Sequence, residues 1–112
     1  MPISVEKQMH NDAWVIKLGG KMTAVDSLDL HAKLLPVVPE DPQLIIFDMS
    51  DVELMPSLGI GTMMSFTRAL EAKGNTVRFA CLNDNMAEMI KRCRLDSVWD
   101  MYGTLAEAEK GR

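Results

Sequence analysis

One hydroxyl in this chain sits where chemistry can be done to it. Ser57 follows the apolar run Leu44-Ile45-Ile46-Phe47-Asp48-Met49 and the segment Asp51 through Met55-Pro56. It precedes Leu58-Gly59-Ile60-Gly61-Thr62-Met63-Met64, whose large side chains have helical spacing. A serine at such a strand-to-helix turn reads as a helix cap. Its oxygen accepts from unpaired N–H groups of the first turn, which contributes about 1 kcal/mol. The same surroundings also accept a phosphate, because helix N-termini favour negative charge.

Other chemistries are poorly supported. Gly59-Ile60-Gly61 begins a dinucleotide fingerprint, but Met64 stands at its third glycine position, and no Gly-Lys-Ser/Thr phosphate loop occurs anywhere. Ser57-x-Gly59 is half of a nucleophile elbow, yet Met55 replaces the first glycine. The only histidines, His10 and His31, both precede the serine, whereas a hydrolase of that fold places its base after it. Neither histidine has a partner at ligand spacing, so both read as surface or half-buried residues. Asp48, Asp51 and Glu53 read as solvated loop carboxylates rather than a metal site. No catalytic residue, metal site or cofactor is expected.

The elements that position Ser57 follow from periodicity. Ile3–His10 alternates as a strand, Asn11-Asp12 turns, and Ala13–Leu18 returns as a hairpin arm ended by Gly19-Gly20. Thr23 is an N-cap for a helix over Ala24–Leu35, with Val25, Leu28, Ala32 and Leu35 on one face and Pro36 and Pro39 as stops. Leu44–Met49 reads as a strand covered on both faces. The next helix runs from about Leu58 to Ala72, stopped at Lys73-Gly74-Asn75. Thr76–Cys81 is a strand, Asn83 or Asp84 caps a helix through Arg94, Val98–Tyr102 is a short strand and Thr104–Lys110 a last helix. The order β-β-α-β-α-β-α-β-α predicts an α/β fold with a largely parallel sheet after an antiparallel hairpin strand, and about four helices. Its β–α turns, Gly20–Thr23, Met49–Ser57 and Leu82–Asn85, then gather at one end of the sheet, where α/β proteins place their sites.

Composition bounds the rest. With 112 residues, 47% hydrophobic and 25% charged, the chain is a single domain spanning 1–112. A net charge of −4 with no basic stripe argues against nucleic acid. No apolar run reaches the roughly 20 residues that span a bilayer, and Met1–Lys7 lacks the apolar stretch of a signal peptide. A cytoplasmic protein is expected, with Cys81 and Cys93 as reduced thiols. The ten methionines fill a core or suit partner-binding surfaces.

Together with this element order, Asp48-x-Ser50-x-Val52-x-x-x-x-Ser57-x-Gly59-x-Gly61 resembles the STAS family of bacterial anti-sigma factor antagonists. The likeness runs from about Ser4 to Glu109 and includes Leu18-Gly19-Gly20 and Leu95-Asp96-Ser97-Val98-Trp99. Family members carry Asp-Ser-Ser-Gly-Leu-Gly at the site turn, and the first serine, phosphorylated there, falls on Ser57. The chain departs at three positions: Pro56 replaces the aspartate, Leu58 the second serine, and Thr23 an aspartate after the first glycine turn. The resemblance implies a partner switch. The unphosphorylated protein binds a serine-kinase anti-sigma factor (of the HATPase type) and frees its client; phosphorylation of Ser57 breaks the complex, and a serine phosphatase restores it. It implies regulation of transcription, not an enzyme, with no membrane insertion. The docking surface is expected at Met22, Thr23, Met55, Pro56, Ser57, Leu58, Gly59, Ile60 and Gly61, with Met22, Thr23, Met55, Leu58, Ile60 and Met86 as an apolar rim. The alternative is a fixed STAS subunit of a transport or other multiprotein complex, with Ser57 never phosphorylated.

Overall fold

The computed structural model describes residues 4–10 and 13–110. The expected Asn11-Asp12 turn lies outside the described residues, as do the side chains of His10 and Val25. In chain order the elements are β1 (Ser4–His10), β2 (Ala13–Lys21), α1 (Ala24–Leu34) with a 3-10 turn at Leu35–Val37, and β3 (Leu44–Leu54). There follow α2 (Ser57–Ala72), β4 (Thr76–Ala80), α3 (Asp84–Arg92), β5 (Met101–Tyr102) and α4 (Leu105–Lys110).

The five strands lie in sequence order. β1 pairs antiparallel with β2, and β2-β3-β4-β5 are parallel. Each parallel step in one direction needs a crossover, and crossovers of one hand keep their helices on one face. α1, α2 and α3 accordingly share a core with Ile16, Leu18, Ile45, Phe47, Met49, Val77 and Phe79. The alternate positions Val15, Ile46 and Ala80 face the other way and are covered through Ala108 of α4. Burial on both faces is why Leu44–Phe47 reads as an unbroken apolar run. Phe79 stacks between Phe47 (5.3 Å) and Trp99 (4.0 Å), closing the core at the β5 side.

Several boundaries differ from the sequence expectation. β2 does not stop at Gly19-Gly20 but continues to Lys21, its pairing to β3 shifting register on either side of the two glycines. β3 does not turn at Asp51; it runs on through Leu54, with Val52 buried between exposed Asp51 and Glu53. α3 ends at Arg92, where Cys93 is the C-cap and Arg94 turns the chain at φ 59°. The last strand is only Met101–Tyr102, since Val98 and Trp99 fold back in a turn that hydrogen bonds to Leu95. The buried face of α1 is also not the expected one. Ser27, Leu30 and Leu34 are buried, whereas Leu28 and Leu35 are exposed, Leu28 at 71%. Ser27 can face the core because its hydroxyl donates to Thr23 O at 3.1 Å.

Candidate functional site

Of the four β–α junctions at the carboxyl end of the parallel sheet, the first three are each set by local chemistry. At the first, Thr23 caps α1. Its Oγ1 accepts from Asp26 N at 3.2 Å, while the Asp26 carboxylate accepts from Thr23 N at 2.9 Å. Donation to that carboxylate from Thr23 N and, at 3.0 Å, from the Thr23 hydroxyl holds the Asp26 carboxyl below its ordinary value. At the third, Asn83 caps α3 through Met86 N (2.8 Å), and its amide donates to Val52 O and Glu53 O of β3. Asn83 therefore ties two junctions together, a role that its position as a cap did not disclose.

The middle junction is only Met55-Pro56, and there Ser57 is not the cap. Pro56 is the N-cap residue: its carbonyl accepts from Ile60 N at 3.0 Å, and Ser57 is the first helical residue. No side-chain cap bond is made at this end. Pro56 (φ −69°, ψ 165°) fixes the chain direction into the helix, shifting the helix start by one residue from the expected position. The Ser57 side chain is exposed, beside the N–H groups of the first turn of a sixteen-residue helix.

Under this turn the packing is tight. Met22, Met55 and Ile60 are buried, as is Met86. The expected apolar rim of methionines is thus corrected: these side chains face inward and support the site from below. Gly59 belongs with them. A Cβ added there would stand 2.5 Å from Met22 Sδ, 2.7 Å from Met55 Cγ and 3.1 Å from Ser27 Oγ, so only glycine lets the two helix starts approach. Met22 N also donates to Leu54 O at 3.3 Å, linking the first junction to the end of β3.

Over the turn the surface is open. A groove of about 450 Å³ between α1 and α2 is lined by Ser27, Leu28, His31, Ser57, Leu58, Gly61, Thr62 and Ser65. Nothing lies within 4 Å of a Cβ built on Gly61. Of the expected contact residues, Ser57, Leu58 and Gly61 line this groove, while Thr23 is exposed and Pro56 half-buried at the junctions outside it. The large apolar side chains exposed in this groove are Leu28 and Leu58 (48%), and Leu54 (40%) is exposed at the end of β3. Leu28 and Leu54 were missed by the sequence reading; the alternation of Val52 and Leu54 along β3 was the signal for the second.

The acidic positions are not loop residues. Asp48 is buried on β3 and accepts from Ser50 N at 3.0 Å, while Asp51 pairs with Lys17 at 3.2 Å, raising the lysine above its ordinary value. His31 is exposed and packs edge-on against Phe66. Among the described residues, no base is hydrogen bonded to the Ser57 hydroxyl, and no group of three His, Cys, Asp or Glu side chains is placed to hold a metal ion. Cys81 and Cys93 carry free thiols; burial, with Asp48 nearby, pushes the Cys81 thiol up. No helix among the described residues is long and apolar enough to cross a membrane. What this geometry offers chemically is an exposed hydroxyl at a helix start, on a groove that also exposes Leu28 and Leu58.

Comparison with known proteins gives the chain its relatives. The chain is 24% identical over 111 residues to the anti-sigma-F factor antagonist RsfB of Mycobacterium tuberculosis, covering 97% of this chain and 88% of that protein. Its fold superposes with a TM-score of 0.84 on an anti-sigma factor antagonist from Mycobacterium paratuberculosis, at 21% identity over 96% of this chain and 92% of that one. It also matches the Bacillus cell fate determinant SpoIIAA in its phosphorylated form, with a TM-score of 0.64, 22% identity, and 96% and 97% coverage. The STAS domain model matches residues 4–108, almost the whole chain, and the chain belongs to the STAS domain family.

Proposed function

We propose that this protein is an anti-sigma factor antagonist that works as a phosphorylation-controlled partner switch. Unphosphorylated, it docks on a serine-kinase anti-sigma factor and releases the client that factor held. Phosphorylation of Ser57 by the same kinase ends the complex, and a serine phosphatase resets it. The protein is a binding module of the bacterial cytoplasm rather than an enzyme; the kinase brings the ATP.

The observation that carries this reading is the placement of Ser57. Its hydroxyl is exposed at the first residue of α2, on the lining of the open groove. Phosphoserine adds about −1.5 to −2 charges and three acceptor oxygens. At a helix start the fold tolerates that charge, so its effect falls on whatever covers Leu28, Leu54 and Leu58. The similarity to RsfB and to phosphorylated SpoIIAA supports the same reading.

The test is an intact-mass measurement of the protein from its native cell. A phosphate-sized increment that disappears in Ser57→Ala is expected. A single unmodified mass under every growth condition would overturn the switch and leave the fixed-subunit alternative.

A further inference from the structure

Charge is distributed unevenly about the Ser57 face. The segments that build this end of the sheet, residues 19–29, 50–62 and 82–88, carry Asp26, Asp29, Asp51, Glu53, Asp84 and Glu88 against one base, Lys21. The rest of the chain holds ten acidic and eleven basic residues. The net charge of the whole molecule is therefore concentrated at the site end. Asp26 is half-buried and the other five acidic side chains are exposed, with Asp51 shared by Lys17. At the same end of the sheet the exposed Leu28 and Leu58 line the groove with Ser57, and the exposed Leu54 ends β3.

We propose that the face is complementary to a partner surface that combines apolar side chains with an excess of lysine and arginine. The proposal rests on the partner-switch reading and adds to it how the phosphate acts. A partner of that charge is drawn to this face by long-range attraction. A phosphate on Ser57 makes the face more negative and so strengthens that attraction at a distance. It breaks the complex at contact, where the bulk and charge of the phosphate, now bonded to Ser57, stand between Leu28 and Leu58 and the apolar side chains of the partner. Phosphorylation then leaves association fast and makes dissociation fast.

Stopped-flow mixing with each purified serine-kinase anti-sigma factor of the source organism separates these elements. The wild-type association rate is expected to fall at least ~10-fold between about 0.05 and about 0.5 M salt. Glu53→Lys/Glu88→Lys lowers it about 10-fold at low salt, while Glu71→Lys at the far end of α2 leaves it unchanged. Ser57→Asp keeps the association rate within about threefold and raises the dissociation rate about 100-fold. An association rate indifferent to salt and to the charge reversal overturns the complementarity, even where Ser57→Asp still weakens binding and the switch survives. A Ser57→Asp variant that associates slowly and dissociates normally overturns the contact mechanism. No binding by wild type or Ser57→Ala to any such factor overturns the switch reading and this inference with it.

Discussion

The two sides of the Ser57 turn are built on opposite terms. Beneath it, Met22, Met55 and Gly59 are packed so closely that a single added carbon would collide with two methionine side chains. Above it, Gly61, two residues further along the same helix, faces open space, and Leu58 and Leu28 stand in solvent. The inner side fixes where the hydroxyl sits, and the outer side is left free for a partner. A rigid underside matters for a switch, since a phosphate on a yielding turn would be accommodated by local rearrangement rather than felt at an interface. The same residue type, glycine, thus serves packing at position 59 and access at position 61.

Substitutions on each side should behave differently. The largest effect is expected outside, at Ser57→Asp. Binding to the cognate anti-sigma factor weakens by at least ~100-fold, or about 2.7 kcal/mol. The melting temperature stays level or rises slightly, because an acidic residue in the first helical turn is stabilising. A loss of binding accompanied by a large fall in melting temperature would assign the effect to folding instead.

Next comes the inner side. Gly59→Ala forces the two buried methionines to move, at a cost of about 1–3 kcal/mol that the better helix propensity of alanine offsets by up to about 1 kcal/mol. A net destabilisation of about 1–2 kcal/mol in urea is expected. In the background of Met22→Ala, which opens the space, Gly59→Ala should cost less; equal costs in both backgrounds would remove the contact as the cause.

Thr23→Ala should cost about 1 kcal/mol through loss of the α1 cap. The pH dependence has a definite sign. The Asp26 carboxyl is lowered in the folded state by its bonds from Thr23, so its contribution is present above the ordinary carboxylate value of 3.8. It is lost as pH falls through the lower folded value. Thr23→Ala keeps the backbone bond to Asp26, so the gap between wild type and this variant should narrow in acid only by the share of the Thr23 hydroxyl, which thermal melts across that range would read. The smallest change in stability is at Gly61→Ala, which is folded and gains up to about 1 kcal/mol of helix propensity. It should still bind the partner less well, since the methyl group enters the groove. Unchanged affinity by calorimetry would take Gly61 out of the interface.

Much of the scaffold was legible because its signals are local. Thr23 with Asp26 three residues on, Asn83 before α3, and Gly74 at φ 96° after α2 each have a chemistry that short sequence windows contain. The apolar run at Leu44–Phe47 showed a strand with two covered faces. The errors lie where two patterns compete. In α1, both Leu28/Leu35 and Ser27/Leu30/Leu34 are spaced as helix faces. The buried set contains a serine whose polarity is satisfied by its own backbone, which hydropathy counts against it. In the same way, the charges at Asp51 and Glu53 hid the continuation of β3, and Pro56 displaced the helix start by one residue. Which methionines line the surface was not legible at all. That is decided by the close approach of α1 to α2 at Gly59, a tertiary contact between distant segments.

The central claim is that one phosphate on Ser57 separates bound from free. The most direct measurement is calorimetric titration of the cognate anti-sigma factor with three forms: wild type, wild type phosphorylated to completion at Ser57, and Ser57→Ala treated with the same kinase. Tight binding by the first and third, and binding weakened at least ~100-fold in the second, is the predicted result. Equal affinity for all three would contradict the account.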